Sequence, residues 1–176
     1  YSGTNLFAGT YSGGVFLSTN YGTNWTAVNT GLAVKYVNAL AVLGTDIYAG
    51  IGNNGGVYKT TNYGTSWTAV NSGLTNKYLA ALAVSGSNLF AGTTNNGGVF
   101  LSTNYGTNWT AKNSGLSSKN VKALAVNGTN IFAGTQGGGV FISTNDGTNW
   151  TAVNSGLTNL QVYSLAASGI NLYAGT

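Results

Sequence analysis

The sequence predicts an all-β repeat protein of four-stranded antiparallel units, one about every 42 residues, with incomplete units at both ends. Three observations carry that prediction. The four tryptophans, Trp25, Trp67, Trp109 and Trp150, lie 42, 42 and 41 residues apart. The stretch 18–25, Ser-Thr-Asn-Tyr-Gly-Thr-Asn-Trp, returns with small changes at 60–67, 102–109 and 143–150. Each period also holds four short apolar or β-prone runs separated by glycine-bearing turns, and a fixed period of this length marks a stacked-repeat architecture.

The first predicted strand closes with Asn5-Leu6-Phe7-Ala8-Gly9-Thr10, and the segment recurs at 46–50, 88–93, 130–135 and 171–176. A glycine-rich turn follows, Ser12-Gly13-Gly14 in the first period, and its length varies between periods as exposed loop tips do. The strand Val15-Phe16-Leu17 then runs into the repeated turn, whose first position is Ser18, Thr60, Ser102 or Ser143. Asn20, Asn62, Asn104 and Asn145 can fold a side-chain amide back onto the backbone, while Gly22, Gly64, Gly106 and Gly147 permit positive φ.

The outer strand is predicted to start at the tryptophan, Trp25-Thr26-Ala27-Val28 in the first copy. Each indole is a large apolar plug with one N–H to satisfy, so all four are expected to be buried between their own unit and a neighbour. A second turn, Asn29-Thr30-Gly31-Leu32, leads to Val37-Asn38-Ala39-Leu40-Ala41-Val42, which is repeated at 79–84 and 121–126. That Ala-rich run could be helical on propensity. It is short, bracketed by glycine and part of a four-strand period, so it reads as a strand packed on both faces and lying innermost. The whole chain is one repeat domain, with units at about 1–36, 37–78, 79–120 and 121–161 and a partial unit at 162–176. The final ten residues repeat the first ten in phase.

The repeated turn resembles the Asp-box, Ser-x-Asp-x-Gly-x-Thr-Trp, found between the third and fourth strands of each blade in sialidase-like β-propellers, in secreted bacterial repeat proteins and in a photosystem II assembly factor. The resemblance covers the whole chain and implies a β-propeller of four-stranded blades. Two departures stand out. Asn occupies the Asp position in all four copies, and the residue before Trp is Asn24, Ser66, Asn108 or Asn149. The resemblance leaves closure open: the chain could pair its last inner strand with its first blade, continue in further repeats of a longer chain, or assemble with copies of itself. An open repeat end leaves strand edges and sheet faces uncovered.

Composition excludes several chemistries. Only 5% of residues are charged, and Pro, Cys, Met, His, Arg and Glu are all absent. The sialidase site implied by the resemblance needs an arginine cluster and a glutamate base, neither of which exists here. Without His or Cys there is no ordinary triad, thiol nucleophile or zinc site, and no cofactor is expected. The two carboxylates, Asp46 and Asp146, occupy non-equivalent repeat positions and read as solvated turn residues rather than a catalytic pair. The net charge of +4 is too thinly spread for nucleic acid. No apolar run approaches the ~20 residues of a membrane helix. The chain starts partway through a repeat and without Met, which reads as a mature product or a window of a longer chain. The expectation is a non-catalytic extracellular or cell-surface module, a structural scaffold or self-assembling subunit, with a lectin-like carbohydrate- or protein-binding module as the alternative.

Three sets of binding candidates remain. Lys35, Lys77 and Lys119 recur just before the inner strand, where three ammonium groups could converge on an anion; the plainer reading is charge kept for solubility. Tyr21, Tyr63 and Tyr105 stand at the turn tip and suit sugar stacking or a protein contact, unless each ring lies across its own unit's edge. Of the formal glycosylation sequons at Asn24, Asn108, Asn127 and Asn149, only Asn127 lies in an expected loop. Because Asn replaces the box Asp, the turns should not titrate, and stability is expected to be nearly flat from about pH 3 to 7.

Overall fold

The computed structural model describes residues 4–176, so the first three residues of the opening unit lie outside it. The described residues form strands and turns with no helix. The first sheet has three strands, β1 (Leu6–Thr10), β2 (Gly14–Ser18) and β3 (Thr26–Ala27). Three four-stranded sheets follow. They comprise β4 (Val37–Leu43), β5 (Asp46–Ile51), β6 (Gly56–Thr60) and β7 (Thr68–Ala69), then β8 (Leu79–Ser85), β9 (Asn88–Thr93), β10 (Gly98–Ser102) and β11 (Thr110–Ala111). The third comprises β12 (Val121–Asn127), β13 (Asn130–Thr135), β14 (Gly139–Ser143) and β15 (Thr151–Ala152). A hairpin of β16 (Ser164–Ser168) and β17 (Asn171–Gly175) ends the chain. Every sheet is an antiparallel meander in chain order, as the four runs per period predict.

Two strand expectations need correction. The outer strands are only two residues long and begin after the tryptophan; in the last three units the Trp backbone N–H bonds to the preceding unit instead, Trp67 to Thr30, Trp109 to Ser72 and Trp150 to Ser114, each 2.9 Å. The Ala-rich strands are innermost in order but mostly half-buried. The deepest burial lies on the second and third strands: β5 and β9 are closed over five consecutive residues and β10 over its whole length.

The core explains that distribution. It consists of three clusters, one at each junction between consecutive units: Val15, Leu32, Ile47 and Trp67 at the first, Tyr48, Val57, Leu74 and Trp109 at the second, and Phe90, Val99, Leu116 and Trp150 at the third. Apolar area is therefore removed from water between sheets, as in repeat proteins whose units cannot bury a face alone. Glycine in the second strand lets the sheets approach. A Cβ added to Gly92 would lie 2.7 Å from Val121, and one on Gly134 would lie 2.7 Å from Val162. Among the described residues, every buried side-chain nitrogen or oxygen has a hydrogen-bond partner. The terminal sheets are incomplete as expected, and no strand pairing joins β16 and β17 to the β1–β2–β3 sheet.

Candidate functional site

The repeated turn is a small hydrogen-bonded cage. Ser18 Oγ accepts from the Gly22 N–H at 2.9 Å and donates to Asn20 Oδ1 at 3.0 Å, and the same Oδ1 accepts from the Asn24 N–H at 2.9 Å. Thr60, Ser102 and Ser143 serve the same role for Asn62, Asn104 and Asn145. Tyr21 and Gly22 both have positive φ, 56° and 87°, the combination required by a type I′ turn. The glycine was anticipated. The left-handed tyrosine was not, and it recurs at Tyr63 and Tyr105, with Asp146 in the fourth copy.

The cage delivers the tryptophan to the neighbouring unit. The indole N–H of Trp67 donates to the Val28 carbonyl at 2.8 Å, that of Trp109 to Val70 at 2.8 Å and that of Trp150 to Lys112 at 2.9 Å. Those three side chains are 3–4% exposed. Trp25 departs from the expectation that all four are buried: it is 43% exposed, and among the described residues no unit lies before its own to receive it.

A second repeated polar anchor was missed from sequence. Asn29, Asn71, Asn113 and Asn154 each accept, through Oδ1, the N–H of the buried valine that follows the glycine turn, at 2.7–2.8 Å. Asn29, Asn113 and Asn154 also donate to the carbonyl of a turn glycine. The signal was present as an Asn at the same place in every period, two residues before a glycine.

The candidate binding residues are dispersed. Tyr21 is 81% exposed, and Tyr63 and Tyr105 are about half exposed. Tyr105 does not lie across its own unit: its carbonyl accepts from the Tyr48 hydroxyl at 3.0 Å, and its ring stands 5.9 Å from Lys59 Nζ, both in the preceding unit. Lys59 also pairs with Asp46 at 2.5 Å. Asp46 is thus a partly buried ion-pair member, contrary to the solvated reading. Asp146 is an exposed turn residue in another sheet's loop. Burial first, and then the charge of Asp46, push the Tyr48 phenol far above its usual range.

Lys35, Lys77 and Lys119 each supply a backbone carbonyl to a turn glycine, Gly14, Gly56 and Gly98, and Leu160 does the same for Gly139. That bond needs no ammonium group. A cleft of about 410 Å³ near the start of the inner strands is lined by Asn38, Asn53, Tyr78, Thr94 and Lys122, and by none of the three lysines. Asn127 is not a free loop amide either, since its Nδ2 donates to the Gly169 carbonyl at 2.7 Å.

No protein-family model and no curated protein matches this chain. Solved structures do. The extracellular domain of a one-component system from B. thetaiotaomicron matches over 100% of this chain and 25% of its own, at 18% identity and a TM-score of 0.80. An ancestral GH74 enzyme matches over 85% of this chain and 22% of its own, at 24% identity and a TM-score of 0.68. The computationally designed Ika8 protein matches over 99% of this chain and 53% of its own, at 15% identity and a TM-score of 0.68. The fold is propeller-like. The chain spans about a quarter of the length of the B. thetaiotaomicron and GH74 proteins, and at these identities the likeness concerns the fold alone.

Proposed function

We propose that this chain is a non-catalytic Asp-box-type propeller module of the cell exterior, acting as a structural scaffold or self-assembling subunit. One observation carries the reading. The residues that look most like a site have structural work: the box Asn and Gly close their own turn, and Trp67, Trp109 and Trp150 each hold their unit to the one before. Composition supports it, because Arg, Glu, His and Cys are absent and the two aspartates stand apart. An exterior location draws support from the likeness to extracellular domains of B. thetaiotaomicron sensor systems. The likeness to a GH74 xyloglucanase from Xanthomonas campestris extends to the fold and supplies no carboxylate pair to this chain.

Light scattering over a range of concentrations tests the assembly reading. A defined oligomer is expected, and a monomer that persists on concentration counts against it. Hydrolysis of xyloglucan by the purified chain would overturn the non-catalytic part.

A lectin-like role is the second reading, favoured by the exposure of Tyr21 and Tyr63 at left-handed turn positions. Binding on a glycan array that Tyr21→Ala and Tyr63→Ala abolish would establish it.

A further inference from the structure

We propose that Trp25 and the cleft bounded by Phe132, Val140, Val153 and Leu157 are two halves of one interface, joined by a second copy of this chain. Two copies then close a ring of eight units. The proposal deepens the self-assembly reading and rests on it.

The joint is already described three times within the chain. At each junction the incoming Trp donates its indole N–H to one carbonyl of the preceding unit, Val28, Val70 or Lys112. It donates its backbone N–H to a second, Thr30, Ser72 or Ser114. Its own carbonyl lies so close to Gly31, Gly73 or Gly115 that an added Cβ there would run into it. The floor of the joint is Tyr48, Val57, Val70 and Leu74 at the second junction, and Phe90, Val99 and Leu116 with the Lys112 stem at the third.

The fourth copy of this floor has no indole on it. Phe132, Val140, Val153, Ser155 and Leu157 line an open cleft of about 370 Å³, together with residues of β17. Val153 is 42% exposed, and Gly156, the counterpart of Gly31, has nothing within 4 Å of the place a Cβ would take. The opposite end of the molecule carries the missing part. Trp25 is 43% exposed, and a Cβ added at Gly22 would meet Trp25 and Leu6 of its own unit, whereas one at Gly64, Gly106 or Gly147 would meet Val28, Val70 or Lys112 of the unit before. None of the five side chains on the vacant floor is charged, so docking the apolar indole desolvates no ion.

A second observation says how the copies fit. Strands β1 and β17 occupy the same place in the repeat, and residues 5–10 and 171–176 differ only at Phe7 and Tyr173. When Trp25 enters the cleft, its own β1 arrives where the partner's β17 lies. Strand β17 is bonded only to β16, while β1 is anchored to β2 and packs through Gly9 onto Val37. Thus β1 replaces β17 against β16, exchanging one ladder for a nearly identical one. The net gain is burial of Trp25 and Val153 and a completed four-stranded sheet. Each copy brings four Trp-bearing units, so two copies make eight, the upper end of the roughly four to eight blades that propellers usually hold.

The test compares the wild-type chain with Trp25→Ala and Gly156→Asn. Asn tolerates positive φ better than other side chains, so Gly156→Asn leaves the monomer folded and blocks the partner's Trp25 carbonyl. Wild type is expected at about 36 kDa, twice the 17.9 kDa chain, with all four indoles shielded from acrylamide. Both variants are expected to be monomeric, with unchanged near-ultraviolet circular dichroism. A dimer that persists in both variants overturns this interface and leaves the assembly reading standing. A wild-type monomer with Trp25 open to acrylamide overturns both. A wild-type monomer with Trp25 shielded means the chain closes on itself, and a mass above two copies means the ring does not close at two. Either result overturns the proposal.

Discussion

The indole N–H of Trp109 donates to the Val70 carbonyl at 2.8 Å, a bond between side chain and backbone across 39 residues. It ties the box turn of one unit to the outer edge of the unit before. Trp67 and Trp150 repeat it and Trp25 does not.

The four tryptophans should therefore differ in what their removal costs. Trp67→Ala, Trp109→Ala and Trp150→Ala are each expected to destabilise by about 3–5 kcal/mol, through loss of buried volume and of the indole bond. Trp25→Ala in the monomer should cost about 1 kcal/mol, since nearly half of the ring is in water. Urea denaturation of the four variants, read at the midpoint with constant slope, checks the ranking.

Asn113 should matter as much as a core side chain. Its Oδ1 accepts from the N–H of fully buried Val99, and its Nδ2 donates to the Gly97 carbonyl. Asn113→Ala leaves that N–H unpaired, and a loss of roughly 2–3 kcal/mol is expected. Asn113→Asp keeps the acceptor while losing the donor, so it should fall between wild type and alanine in the same denaturation series.

The box asparagines set the response to acid. Asn104 Oδ1 accepts from Ser102 Oγ and from the Asn108 N–H, so the position works as an acceptor. In Asn104→Asp those bonds favour the ionised carboxylate and depress its pKa below the unfolded value of about 3.9. The added stability is then present above about pH 4 and is lost as pH falls through the folded pKa. Thermal melts at pH 3.5 and 7 should separate by less than about 10 °C in wild type and by more in the variant.

Alkali should act through Tyr48. Burial, and after it the negative charge of Asp46, raise the folded pKa of this phenol above its ordinary value near 10. The unfolded chain releases the proton first as pH rises. The contribution is fully present below pH 10 and is lost above it, by at most about 1.4 kcal/mol per unit. Tyr48→Phe should lower stability at pH 8 by about 1 kcal/mol, by removing the bond to the Tyr105 carbonyl. It should also shallow the decline between pH 10 and 11.5, with the other tyrosines common to both proteins.

Period, strand order and turn chemistry were legible because they are local. Ser18, Asn20 and Gly22 bond within five residues of one another, and short apolar runs between glycine turns mark the inner, second and third strands, whereas the two-residue outer strands start later than the sequence suggests. The recurrence of Asn29 was visible in the period, but its anchoring role was not, because its partner Val15 lies 14 residues away. Four nearly identical boxes cannot differ by local chemistry, so what separates Trp25 from Trp109 is the presence or absence of a neighbouring sheet. The pairing of Asp46 with Lys59 depends on the β5–β6 register, which sets Tyr48 opposite Lys59 and brings the two charges to one edge. Tyr105 reaches that pair only because the following unit stacks upon it. By itself the sequence determined the unit and its ends left mid-sheet. The tertiary structure decided which copies of that unit are satisfied, because burial of an indole is a property of two units and the code for each is written in only one.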